Sequence, residues 1–142
     1  MKRLLLALAL CCFPLIGCDL GGGGAAPDHG PVDPSSRQFR LLVIEETADR
    51  PTLPASQQAI FTSTTVRQYL KSHCAKGADG APQFRFLDKD AELSGDWKAT
   101  VRAHGPRSYP WVYVTDGKTG HSGPLPNDVD SFLRLIKPFG GG

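Results

Sequence analysis

Apolar residues recur with changing period along the chain from residue 38 onwards, and this pattern predicts its secondary structure. Residues 39–44 are almost continuously apolar, which is typical of a strand that is buried on both faces. Residues 83–87 alternate between apolar and polar side chains and predict a second strand. Between them, apolar residues from 56 to 74 recur at helical spacing, with a break at 62–65, where four hydroxyl side chains compete for backbone hydrogen bonds.

A hairpin is predicted in the second half of the chain. Residues 111–115 are all β-branched or aromatic, as in a strand. Pro110 precedes them at a position where a missing N–H need not interrupt a ladder, and Asp116-Gly117 supplies a turn after them. A short fourth strand at 121–123 would then return antiparallel to the third.

Two further helices flank this hairpin. The first is predicted at about 94–105, with its apolar residues on one stripe. The second has Asn127 as its predicted N-cap and apolar residues at i, i+3, i+4 and i+7 from Val129. Pro138 is expected to stop it, which would leave 140–142 as a frayed and disordered tail.

The element order, β-α-β-α-β-β-α over residues 38–139, resembles that of the thioredoxin fold. The proline, strand, turn, strand and helix that begin at Pro110 resemble the C-terminal half of that fold, in which this proline is cis. The resemblance implies an α/β protein with a single thioredoxin-like domain. It also implies a cis Tyr109–Pro110 bond and a face around Pro110 that holds extended peptide backbone.

The N-terminal segment has the features of a secretory signal. Two basic residues are followed by an uncharged apolar run at 4–16, whose 13 residues are too few to span a bilayer comfortably. The run ends in Leu15-Ile16-Gly17-Cys18, which resembles the lipobox of bacterial lipoproteins. This resemblance implies that 1–17 are removed and that Cys18 receives lipid, including palmitate. An ordinary signal peptide that happens to end at a cysteine is the alternative.

If residues 1–17 are removed, the mature chain begins with a flexible linker and has no net side-chain charge. Residues 18–37 are rich in glycine and proline with little to bury, and they predict a disordered linker behind the lipidated cysteine. Removing Lys2 and Arg3 from the 16 basic residues leaves 14, which equals the number of acidic residues. Nucleic acid is therefore not expected as a partner. The membrane is an expected partner through the lipid anchor, with the domain outside the cytoplasm in the bacterial cell envelope.

The residues that dithiol chemistry requires are missing. An oxidoreductase of the thioredoxin type uses a Cys-x-x-Cys motif after its first strand, but no cysteine occurs from residue 19 to 73. The remaining thiol, Cys74, falls at the end of a helix whose dipole disfavours a thiolate, and we expect it to be buried. No cofactor, metal or catalytic residue is predicted. A monothiol or metal-dependent enzyme that uses Cys74 or the histidines, such as His73, His104 and His121, is the alternative.

A binding face is predicted at the end of the first strand, because ligands of open α/β sheets bind beyond the carboxyl ends of the strands. A solvated strand end is the competing interpretation. The candidate residues are Glu46, Asp49, Arg50, Thr52, Tyr109 and Pro110. The sequence therefore predicts a non-catalytic module that binds a protein or a peptide or is otherwise associated with the envelope. A purely structural component of the cell envelope is a further alternative.

Overall fold

The computed structural model describes residues 39–93 and 95–140. The strands are β1 (Arg40–Glu45), β2 (Phe84–Asp88), β3 (Trp111–Thr115) and β4 (Gly120–Pro124), and the helices are α1 (Ala55–Thr62), α2 (Thr64–His73), α3 (Gly95–Ala103) and α4 (Val129–Gly140), with a 3₁₀ turn at Arg50–Thr52. The predicted signal peptide, the lipidated Cys18 and the tether lie outside the described residues. No helix in the described ranges is long and apolar enough to cross a membrane.

The four strands form one mixed sheet in the order β2-β1-β3-β4. β1 and β2 are parallel, whereas β3 is antiparallel to both of its neighbours. The α/β class is therefore confirmed. The element order matches the predicted one when α1 and α2 are counted as the two halves of the single interrupted helix.

The sheet separates two apolar clusters, because alternate residues of a strand point to opposite faces. Leu41 and Val43 belong to the larger cluster, which includes residues of α1, α2 and α4. Leu42 and Ile44 belong to the smaller one, which is covered by α3. All four side chains are buried, which confirms that β1 is covered on both faces.

The break between α1 and α2 has a local cause. Ser63 leaves the helical conformation, and its side chain accepts a hydrogen bond from the Val66 backbone N–H at 3.2 Å. Ser63 therefore caps α2 at the point where the run of hydroxyl residues predicted an interruption.

The last helix differs from its prediction at both ends. Its first helical residue is Val129, and Asp128 rather than Asn127 caps it, with its Oδ1 accepting a hydrogen bond from the Ser131 backbone N–H at 2.7 Å. This bond lowers the pKa of Asp128. The expected stop at Pro138 was wrong, since α4 continues to Gly140. Proline removes one donor of the last turn, while continued helix lets Phe139 pack against the larger cluster.

Candidate functional site

Three strands meet at one end of the sheet. Glu45 at the end of β1 is paired with Asp88 at the end of β2, and Ile44 is paired with Trp111 at the start of β3. Residues that follow β1 therefore lie at the same end of the sheet as residues that precede β3. The structure places both groups of the predicted binding face at this end.

Arg50 forms a double hydrogen bond with the carboxylate of Glu45, at the end of β1. Glu45 is only 2 % exposed, and its two oxygens accept from Arg50 Nε, at 2.7 Å, and from Arg50 Nη2. Hydrogen bonding to Glu45 raises the pKa of Arg50 above its ordinary value. The guanidinium also lies 4.9 Å from the ring centre of Phe61. Arg50 is therefore fixed in position, although 40 % of its side chain stays exposed.

The loop after β1 is fastened to the loop after β2. Glu46 is half-buried and pairs with Lys89 Nζ at 3.1 Å, while the Asp88 carboxylate accepts from the Thr47 backbone N–H at 2.9 Å. Backbone hydrogen bonds from Asp90 and Thr47 lower the pKa of Asp88 to about 2. These contacts engage Glu46 in holding two loops together.

Asp49 and Thr52 lie on the exposed side of the 3₁₀ turn. The Thr52 hydroxyl donates to the Asp49 carbonyl oxygen at 2.7 Å, so the two residues stabilise the turn that carries Arg50. The Asp49 carboxylate itself stays at the surface, where a partner can reach it.

The Tyr109–Pro110 bond is cis, as the sequence predicted. Pro110 is buried, and its carbonyl oxygen accepts from the Leu125 backbone N–H at 3.0 Å. Tyr109 is 42 % exposed, and within residues 39–93 and 95–140 it is the one large hydrophobic side chain that is exposed. The chain thus presents an aromatic ring beside a firmly attached proline.

Gln57 was not predicted as part of this site. This buried residue of α1 donates from Nε2 to the carbonyl oxygens of Leu125 at 2.9 Å and Pro126 at 3.2 Å. It links α1 to the segment that is bonded to Pro110. The available signal was a polar residue three and four positions before Ile60 and Phe61, on the apolar face of α1.

The predicted burial of Cys74 is confirmed. The residue is 5 % exposed at the C-terminus of α2, and burial raises the pKa of its thiol to about 12. The neighbouring His73 is exposed and stacks on Tyr69, with ring centres 4.1 Å apart. In the described part of the chain, no three His, Cys, Asp or Glu side chains are placed to share a metal ion.

The end of the sheet therefore offers an exposed aromatic ring, an exposed carboxylate and a guanidinium with one accessible side. Such groups recognise a partner through apolar contact, hydrogen bonds and charge. A comparison with protein-family models, with curated proteins and with solved structures finds no match.

Proposed function

We propose that this chain is a lipid-anchored, extracytoplasmic domain with a thioredoxin-like fold that binds a protein or a peptide and performs no dithiol redox chemistry. The fold assignment is supported by the sheet order β2-β1-β3-β4, with only β3 antiparallel, and by the cis proline before β3. The anchor and the location rest on the Leu15-Ile16-Gly17-Cys18 sequence.

The observation that carries the proposal is the ion pair between Arg50 and Glu45, close to where the resemblance would expect a dithiol. The resemblance places the reactive cysteines at about residues 50–53, and Arg50 there is bonded to the buried carboxylate of Glu45. Reduction of a disulfide takes one thiol to attack and a second to resolve the mixed disulfide. Cys74 is buried and keeps its proton at neutral pH, so it also makes a poor single nucleophile.

Peptide binding is supported by the surroundings of Pro110. Tyr109 is exposed, and tyrosine is among the residues that most often dominate binding energy at protein interfaces. The Leu125 N–H and the Gln57 amide fasten the backbone behind it. A surface that is already rigid loses little conformational entropy when a partner binds.

The redox half of the proposal is tested by insulin reduction with dithiothreitol. We expect the full-length chain to give the rate of dithiothreitol alone, and Cys74→Ser to behave identically. A wild-type rate clearly above background that disappears in Cys74→Ser would contradict the proposal in favour of a monothiol enzyme.

The binding half is tested by selecting phage-displayed peptides on the full-length chain and measuring their affinity by fluorescence anisotropy. Tyr109→Ala should weaken the selected peptides at least tenfold, about 1.4 kcal/mol of binding free energy. The matched control is Lys118→Ala, in the exposed turn at the opposite end of the sheet. Equal affinity for wild type and Tyr109→Ala would show that this face is not the binding surface.

A further inference from the structure

A cavity lies between the sheet and the start of α3. Its volume is about 310 Å³, at the lower end of the range for small-molecule sites. The sheet contributes Arg40, Arg85 and Leu87, and the segment around the start of α3 contributes Leu93 and Trp97. Arg85 and Leu87 belong to β2, and β1 lies between β2 and β3, so this cavity is separate from the face around Tyr109, which precedes β3.

Arg40 has hydrogen-bonding capacity that the described residues do not use. Its side chain is 17 % exposed, and its guanidinium lies 5.4 Å from the ring centre of Trp97. Nη1 donates to the Asp96 carboxylate at 3.2 Å, whereas Nε is buried without an acceptor. A buried donor of this kind is uncommon in proteins, because leaving it unbonded costs free energy.

The Nε atom of Arg40 belongs to the edge of the guanidinium that suits a carboxylate. Arg50 binds Glu45 through Nε and Nη2, whereas Nε of Arg40 has no acceptor among the described residues. A planar guanidinium fork matches the two oxygens of a carboxylate. The Arg40 guanidinium lies over the Trp97 ring, and both side chains line the cavity.

The other residues that line the cavity indicate which further chemical groups the ligand has. Two guanidinium groups, of Arg40 and Arg85, are balanced by the carboxylates of Glu92 and Asp96. This balance favours a ligand with one negative and one positive group, and it disfavours a phosphate dianion, which the carboxylates would repel. The apolar side chains that line the cavity would take up an apolar body.

We infer that the cavity binds a free α-amino acid with an apolar side chain. The amino acid's carboxylate accepts from the guanidinium of Arg40, and its ammonium group lies against the carboxylate of Glu92. The side chain of the amino acid packs among Leu87, Leu93 and Trp97. A volume of about 310 Å³ suits a ligand the size of a free amino acid.

The probe is L-leucine, titrated into the purified full-length chain by isothermal titration calorimetry. The Trp97 indole N–H resonance, assigned with Trp97→Phe, reports whether binding occurs in the cavity. We expect leucine to bind and to shift this resonance. N-acetylleucine, which has no ammonium group, and leucinamide, which has no carboxylate, should each bind at least tenfold more weakly.

Three variants locate the two charged contacts. Arg40→Lys keeps the charge but loses the fork, and it should weaken leucine at least tenfold. Glu92→Gln, an exposed residue that leaves folding intact, should weaken leucine to a similar degree without changing the affinity for N-acetylleucine. Arg102→Gln, on the exposed side of α3 and outside the cavity, is the matched control and should change the affinity less than twofold.

The inference is overturned if leucine fails to bind at about 10 mM, or if it binds without moving the Trp97 resonance. Equal affinity for leucine, N-acetylleucine and leucinamide would also overturn it. So would tighter binding of inorganic phosphate than of leucine, which would make the cavity a simple oxyanion site. None of these outcomes affects the peptide-binding proposal, whose test depends on Tyr109.

Discussion

Replacing Arg50 by methionine tests the role of its ion pair with Glu45. Methionine retains much of the side-chain volume but removes both hydrogen bonds to a buried carboxylate. Breaking a fully buried pair by removing one partner costs ~3–5 kcal/mol. Arg50 is 40 % exposed, so water can reach part of the site in the variant and lower this cost. We therefore expect a loss of about 2–3 kcal/mol in the free energy of unfolding.

The assay is urea unfolding of the full-length chain at pH 7, followed by circular dichroism. A loss of this size is a large part of the ~5–15 kcal/mol that stabilises a typical domain. It should lower the melting temperature by roughly 8–24 °C in a domain of about 100 residues. Arg102→Met is the matched control, because it removes an exposed arginine whose loss should cost less than ~0.5 kcal/mol.

A double-mutant cycle separates the pair from its surroundings. Glu45→Met/Arg50→Met removes both charges together and should be more stable than Arg50→Met, since no unpaired carboxylate remains in the buried site. Exactly additive effects of the two single changes, or an Arg50→Met variant as stable as the Arg102→Met control, would refute the reasoning.

Two further predictions concern the cysteines. Cys18→Ser should abolish incorporation of radioactive palmitate in cells and leave an unprocessed precursor, and equal labelling of wild type and variant would remove the lipoprotein proposal. The second concerns Cys74, whose thiol has a pKa of 9.0 as its ordinary value and about 12 in the folded chain. The unfolded chain loses this proton first, so the stabilising contribution of Cys74 is complete below pH 9 and declines as the pH rises towards 12. The difference in unfolding free energy between wild type and Cys74→Ala should therefore shrink between about pH 8 and pH 10.5, and a constant difference would contradict this assignment.

The parts of the fold that were predictable depend on local sequence. The run at 39–44 is apolar on both faces, and it forms a strand that is covered on both faces. Ser63 interrupts the helix through a hydrogen bond that spans three residues. The two errors in α4 have different causes. At its start, two neighbouring residues can each cap the helix, and at its end, packing against the core outweighs the helix-breaking effect of proline. Asp128 and Asn127 are both good caps, and Phe139 packs against the core beyond Pro138.

The sequence could place the candidate residues at one end of the sheet, but it could not predict their interactions. The end of β1 is a plausible ligand surface in any open α/β sheet, so Arg50 and Asp49 could be selected from the sequence. The bond between Arg50 and Glu45 depends on how deeply the strand end is buried, which the spacing of two charged residues does not reveal. Gln57 and Arg40 were missed for a related reason. Each is a polar residue within an apolar pattern, and only the folded chain shows what surrounds it.

The contrast between the two arginines bears on what each end of β1 can do. Arg50 directs Nε and Nη2 to a carboxylate of its own chain, so the bonding capacity of its guanidinium is largely used in holding the 3₁₀ turn. That end of the sheet has a fixed shape and, among the described residues, no thiolate, which suits recognition by the exposed ring of Tyr109. At the other end, Arg40 lines a cavity and donates from Nη1 to Asp96, while its Nε has no acceptor among the described residues. Arg50 therefore stabilises a rigid surface at one end of β1. At the other end, Arg40 retains the capacity to bind a carboxylate ligand.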